Sequence, residues 1–242
     1  MSYDQLCGVE KPVEVLRRAI AQNQLSGAYL FCGPQNVGKT SLALAFAQAA
    51  TCGQPVEGDA CGECQSCRMV QSGNHPEIQL IAPAGDKTQI YQFWDRPNRP
   101  RGALEGTLNY APSVGVKRVY IIERADTLTD QAANSLLKAL EETPPYVLFI
   151  LLAPHASRML PTILSRCQMV RLMPAPYDEL AAWLHNSRGI PMERCVELAA
   201  LAEGRTGAAI NLAASPTLQQ EIDESIEVVR AIVEGSSIDA LK

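Results

Sequence analysis

Two short stretches carry residues able to do phosphate chemistry. The first, "GPQNVGKTS" (33–41), matches Gly-x-x-x-x-Gly-Lys-Thr. Gly33 and Gly38 permit backbone turns that aim N–H groups inward at phosphate, with Pro34, Gln35, Asn36 and Val37 spanning the loop between them. Lys39 can reach the β- and γ-phosphates, the Thr40 hydroxyl can ligate Mg²⁺, and Ser41 leads into a helix whose N-terminus adds partial positive charge. The second stretch is "VYIIERAD" (119–126). Val119 to Ile122 read as a buried strand, and Glu123 closes it. Arg124 then stands where a phosphate-cleaving ATPase carries a carboxylate, and a guanidinium stays charged and accepts no proton at working pH. The pair of stretches predicts a pocket that holds triphosphate without cutting it.

A third group suits metal. Cys52, Cys61, Cys64 and Cys67 place four thiolates within residues 52–67, and four sulfurs suit tetrahedral Zn²⁺ in a closed, structural site. An iron–sulfur cluster is the competing use of four thiolates; nothing else in the chain suggests redox chemistry. The intervening loop is rich in Gly and polar residues, with too little apolar surface to fold unaided. The other four cysteines are scattered, and Cys32 and Cys167 read as small core residues.

Five apolar runs must position these groups: 28–33, 77–83, 118–123, 146–153 and 168–173. They read as continuous rather than alternating, as strands buried on both faces do. Helical stretches lie between several of them. "GKTSLALAFAQAA" (38–50) follows the first strand, and "TDQAANSLLKALEE" (129–142) follows the third, with Thr129 as N-cap and Pro144-Pro145 as a stop. The alternation predicts an α/β fold with a parallel sheet covered on both sides. After Pro174 no strand is evident, and three stretches ending with "TLQQEIDESIEVVRAIVEG" (217–235) read as helices. The expected division is therefore 1–174 for a nucleotide-binding domain with the cysteine module at 52–67, and 175–225 for a helical domain. Residues 226–242 would be a linker into a further domain, because "SSIDALK" ends without a stop signal. The polar segment 84–102 carries Arg96, Arg99 and Arg101 just after Trp94; these could touch nucleic acid, but the favoured reading is a solvated loop leading to a helix.

The 242 residues carry a formal charge of −5, with 47% apolar and 19% charged residues, as in globular chains. An acidic chain points to DNA contact that is local or shared with partners. No apolar run approaches the roughly 20 residues that span a bilayer, and no secretion signal opens the chain. A cytoplasmic location without membrane contact is expected.

Together these motifs, with "AANSLLKALEETPP" (132–145) and "TILSRC" (162–167), resemble the bacterial DNA polymerase III clamp loader subunits of the AAA+ ATPase class over nearly the whole chain. The resemblance implies a P-loop AAA+ fold with a five-stranded parallel sheet, the inserted zinc module, a three-helix lid and a collar domain absent here. The family contains gamma/tau motor subunits and a rigid delta-prime stator. Motor subunits carry Asp-Glu where Glu123 and Arg124 stand, a Thr pair where Ala153-Pro154 stand, and a lid arginine where Gly207 stands, with Arg205 two residues away. Arg166 matches the family's arginine finger, which reaches the γ-phosphate on the neighbouring subunit. The resemblance therefore implies a delta-prime-like subunit with structural zinc, ATP or ADP with Mg²⁺, and weak or absent hydrolysis of its own. Its partners would be gamma/tau, delta, and, through the complex, the sliding clamp and primer-template DNA; alone it would be a monomer. The competing readings are an active gamma/tau-like ATPase, and, more distantly, a nucleotide kinase or a zinc-containing nucleic-acid binder.

Overall fold

The computed structural model describes residues 2–215. The chain falls into two compact units that divide after Pro174. The helix expected at 217–235 and the linker expected at 226–242 lie outside the described residues.

In the first unit the order is α1 (Glu10–Ala21), β1 (Ala28–Cys32), α2 (Lys39–Thr51), α3 (Gln65–Gln71), β2 (Ile78–Ile81), β3 (Arg118–Ile122), α4 (Asp130–Glu141), β4 (Val147–Ala153), α5 (Pro161–Leu164) and β5 (Gln168–Arg171). All five strands pair in parallel, in the order β2-β3-β4-β1-β5. The three central strands are buried at every residue, whereas the edge strands β2 and β5 are only partly covered. This is why the central runs read as continuous apolar sequence: each strand has two faces to bury.

The faces separate by the two-residue period of the strand. Tyr29, Phe31, Val119, Ile121, Leu148 and Ile150 point into one core, packed with Leu42 and Phe46 of α2 and Leu16 of α1. Leu30, Tyr120, Ile122, Phe149 and Leu151 point into the other, which contains Leu136 and Leu140 of α4. Phe46 meets Tyr29 edge-on, with ring centroids 5.0 Å apart. Thr129 caps α4, its side chain accepting from the Ala132 N–H.

The long connection from β2 to β3 differs from expectation. Only a short 3₁₀ turn, Ile90–Gln92, forms in it, and no helix precedes β3. Pro97, Pro100 and Pro112, with Gly102, Gly106 and Gly115, interrupt any helical run. The segment is nonetheless anchored. Phe93 and Leu104 are fully buried, and a Cβ on Gly102 would lie 2.4 Å from the Trp94 nitrogen. Arg99 stacks over Tyr91 at 4.8 Å. At the start of β3, Arg118 and Glu77 form a buried ion pair at 2.6 Å, and Glu77 also accepts from the N–H and hydroxyl of Ser113.

The second unit contains α6 (Tyr177–Arg188), α7 (Met192–Leu201) and α8 (Thr206–Ala214) among its described residues. Gly189 ends α6 in the left-handed conformation, φ 67°. Among the described residues no helix is long and apolar enough to cross a membrane.

Candidate functional site

The first candidate site forms at the C-terminal ends of the central strands, where parallel sheets place ligands. The chain leaves β1 at Cys32, and Gly33 passes so close to β5 that a Cβ would lie 2.4 Å from the Leu172 carbonyl oxygen. Asn36 (φ 61°) and Gly38 (φ 102°) turn the loop back into α2. Val37 is buried and anchors the loop to the core, while Gln35 and Asn36 stay exposed. The Lys39 ammonium donates to the carbonyl oxygens of Gly33 (2.8 Å) and Pro34 (2.7 Å), so it lies across its own loop. Burial pulls its pKa down, while Cys32 and Asp126 oppose the shift. The Thr40 hydroxyl donates to Glu123 Oε1 at 3.2 Å across the sheet.

These groups open onto a cleft of about 260 Å³. Of the residues picked out from sequence, Gln35, Lys39, Thr40 and Glu123 line it, and Arg124 joins them. Arg124 adopts a left-handed backbone (φ 46°, ψ 49°) and starts the 3₁₀ turn Ala125–Thr127. Its carbonyl oxygen accepts from the N–H and hydroxyl of Thr127, both at 2.8 Å. The exposed guanidinium thus stands at the cleft with no side-chain partner among the described residues. Pro154 lines the cleft after β4, and neither it nor Ala153 carries a hydrogen-bonding side chain.

Two charged residues of the cleft escaped the sequence reading. Asp126 lies three residues beyond Glu123, a spacing that one 3₁₀ turn brings to the same side. Its side chain is 8% exposed; Oδ2 lies 3.7 Å from Arg158 Nη1, and Oδ1 is buried without a hydrogen-bond partner. Arg158 is the second, 65% exposed at the side chain. Asp126 ends the stretch 119–126, whereas Arg158, after β4, has no local signal.

Arg166 does not line this cleft. It follows α5 and pairs with Glu141 of α4, with Nη1 donating to the Thr162 carbonyl at 2.8 Å. In the second unit Gly207 falls in the first turn of α8, and Arg205 donates to the Ala202 carbonyl at 3.0 Å.

The four cysteines form the second candidate site. Their sulfurs all lie within 4.8 Å of one another, with Sγ–Sγ separations of 3.5 Å for Cys52–Cys61 and 3.9 Å for Cys52–Cys64 and Cys61–Cys67. Tetrahedral zinc with Zn–S near 2.3 Å requires sulfurs about 3.8 Å apart. Backbone N–H groups of Gln54, Cys61, Cys64 and Cys67 each donate to a cysteine sulfur at 3.4 Å, as thiolates would need. Burial opposes ionisation of Cys64, but the Cys67 and Gly53 N–H groups, with the neighbouring thiols, bring it down to about 6. The residues present therefore fit the metal. Cys52 caps the end of α2 and Cys64 the start of α3. Asp59 ties the module to the rest of the unit by accepting from Ser2 Oγ at 2.7 Å and Arg17 at 3.3 Å.

Comparison with known proteins follows the same lines. The family described as "DNA polymerase III, delta subunit" matches residues 8–176. The delta′ subunit of Bacillus subtilis is 36% identical over 164 residues, covering 67% of this chain and 46% of that protein. The delta′ subunit of Pseudomonas aeruginosa is 34% identical, covering 75% and 54%. The tau/gamma subunit of Haemophilus influenzae is 32% identical, covering 84% and 29%. The chain thus spans about half or less of the length of these relatives, which include both kinds of subunit. The Holliday junction branch migration motor RuvB of Thermotoga maritima, 15% identical with a TM-score of 0.55 over 92% of this chain and 63% of that one, shares the P-loop fold. The chain belongs to the DNA polymerase III delta-subunit family, among the clamp loader subunits of the AAA+ type.

Proposed function

We propose that this chain is a delta-prime-type stator of the DNA polymerase III clamp loader, helping to place the sliding clamp on primed DNA in the bacterial cytoplasm. Its cysteine cluster holds structural zinc. Its cleft holds ATP or ADP with Mg²⁺, through the loop 33–41 and Glu123, and hydrolyses it weakly or not at all. Its Arg166 serves the active site of a neighbouring gamma/tau subunit.

The observation that carries this reading is Arg124 at the cleft. A water-activating residue must accept a proton, and a guanidinium accepts none. Ala153-Pro154 supports it by offering no side-chain donor after β4. Losing water positioning and charge stabilisation together lowers turnover by about 100-fold or more for each function lost. Arg166 is only about a third exposed and held by Glu141, a surface pair worth about 0–1 kcal/mol. A trans arginine is worth about 10³-fold or more in rate. Releasing Arg166 from Glu141 is therefore a small cost beside what it contributes next door.

The test is reconstitution of the full-length chain with the motor and delta subunits. Arg166→Ala is expected to depress DNA-dependent ATP hydrolysis and clamp loading, and Lys39→Ala in this chain to change both little. The reverse pattern would remove the stator reading. The tau/gamma relatives favour a motor subunit as the second reading, which requires Mg²⁺-dependent hydrolysis by the chain alone, abolished by Lys39→Ala.

A further inference from the structure

We propose that Asp126 fixes the phosphate count of the cleft: its buried carboxylate, in the same cleft as Lys39, makes this a site for a nucleoside diphosphate that discriminates against the triphosphate. The inference rests on reading the cleft as a nucleotide site and deepens it by naming the ligand.

Lysine in a loop of this kind neutralises the β- and γ-phosphates. Here Lys39 already feels a carboxylate, because Asp126 lines the same cleft and its charge acts on both Lys39 and Cys32, at the end of β1. Asp126 is also poorly compensated. Arg158 reaches Oδ2 only at 3.7 Å, beyond hydrogen-bonding distance, and Oδ1 has no partner. Other charges face the cleft as well: Glu123, Arg124 and Arg158. Counting formal charges would leave the cleft cationic, but burial decides which charges count. Arg124 is exposed and Arg158 is 65% exposed at the side chain, so solvent and salt screen both. Asp126 is 8% exposed and acts through protein rather than water.

A terminal phosphate brings one to two further negative charges to the Lys39 end of the site. After β4, where a hydroxyl could receive that phosphate, Ala153 and Pro154 offer none, and Pro154 also lacks an N–H. The triphosphate thus meets an anion and loses a donor, whereas a diphosphate keeps the loop N–H groups and Lys39. At an effective dielectric near 20, two unit charges even about 10 Å apart interact by roughly 1–2 kcal/mol, so a buried charge in the same cleft changes anion affinity by on the order of tenfold. A stator with this preference would keep the same ligand while its neighbours alternate between ATP and ADP.

The experiment is calorimetric titration of the zinc-loaded full-length chain with ADP and with the imido analogue of ATP, both with Mg²⁺. Wild type is expected to bind ADP about tenfold or more tightly than the analogue. Asp126→Asn keeps the side-chain shape and removes the charge; it is expected to raise analogue affinity until the two ligands agree within about twofold, with ADP little changed. A gain of binding is not what structural damage produces. Asp126→Ser removes the same charge with a smaller side chain; it is expected to narrow the preference in the same way and serves if Asp126→Asn does not fold. Equal binding of the two ligands by wild type, no binding of either at millimolar concentration, or weaker analogue binding by Asp126→Asn would overturn the proposal. None of these results touches the Arg166 experiment, so failure here and failure of the stator reading are told apart.

Discussion

Replacing Glu77 by alanine is expected to unlock the connection between β2 and β3. Glu77 is 2% exposed, and its Oε2 accepts from Arg118 Nε and Nη2, both at 2.6 Å. Its Oε1 accepts from the Ser113 N–H and hydroxyl, both at 2.7 Å. The substitution leaves two guanidinium donors of an 8%-exposed arginine without a partner, along with the two Ser113 donors. Arg118 Nη1 keeps the Tyr110 and Thr107 carbonyls, so the residue stays buried rather than swinging out. Breaking a buried pair from one side costs about 3–5 kcal/mol. In a chain of this size that shifts the unfolding midpoint by roughly 6–20 °C, at about 2–4 °C per kcal/mol.

Thermal and urea unfolding, followed by circular dichroism, read the loss. Arg118→Met and the double variant complete a cycle, with an expected coupling of about 2 kcal/mol or more. The pair also has a pH signature. Burial pushes the Glu77 carboxyl up, but hydrogen bonds from Arg118 and Ser113 outweigh it and hold the pKa below its ordinary value. A carboxyl lowered on folding contributes stability above its unfolded pKa and loses it as pH falls through the folded one. Glu77→Ala should therefore differ most from wild type at neutral pH and converge with it in acid, below the usual carboxylate range. A loss under about 1 kcal/mol at neutral pH, or additive single variants, would refute the reasoning.

Gly33→Ala should unseat the phosphate loop, because the added methyl must displace the Leu172 carbonyl oxygen from 2.4 Å; weaker nucleotide binding with a lowered melting point is the expected result, read by calorimetry and thermal unfolding. Stripping the cysteine cluster with a chelator, or Cys64→Ser, should release one zinc per chain and lower the melting point while strands of the sheet persist, as metal analysis and circular dichroism would show; full stability without metal would count against a structural zinc site.

What the sequence disclosed was chemistry held close together along the chain. The phosphate loop occupies residues 33–41 and the thiolates residues 52–67, so each can be recognised before any folding is known. The strands were legible because β1, β3 and β4 are buried on both faces and leave continuous apolar runs. The Glu77–Arg118 pair joins residues 41 apart, and each partner sits at the polar end of an apolar run, where a charge reads as a strand boundary. Asp126 ends the stretch 119–126, yet its burial comes from packing near β4 and Arg158, which no local pattern encodes. The helix expected before β3 failed on prolines and glycines that were visible, but the aromatic anchors Phe93 and Trp94 that replace it depend on the tertiary fold.

Helix α2 begins at the phosphate loop and ends at the first sulfur of the cysteine cluster. Thirteen residues make a rod of about 20 Å. Hard oxygen donors gather at one tip and soft sulfur donors at the other, with an alanine-rich stem between them that binds neither. A divalent ion arriving at this protein would therefore be sorted twice, by donor type and by distance. Magnesium would find no foothold among the sulfurs, and zinc bound there would sit a helix length away from any polyphosphate in the cleft that could compete for it.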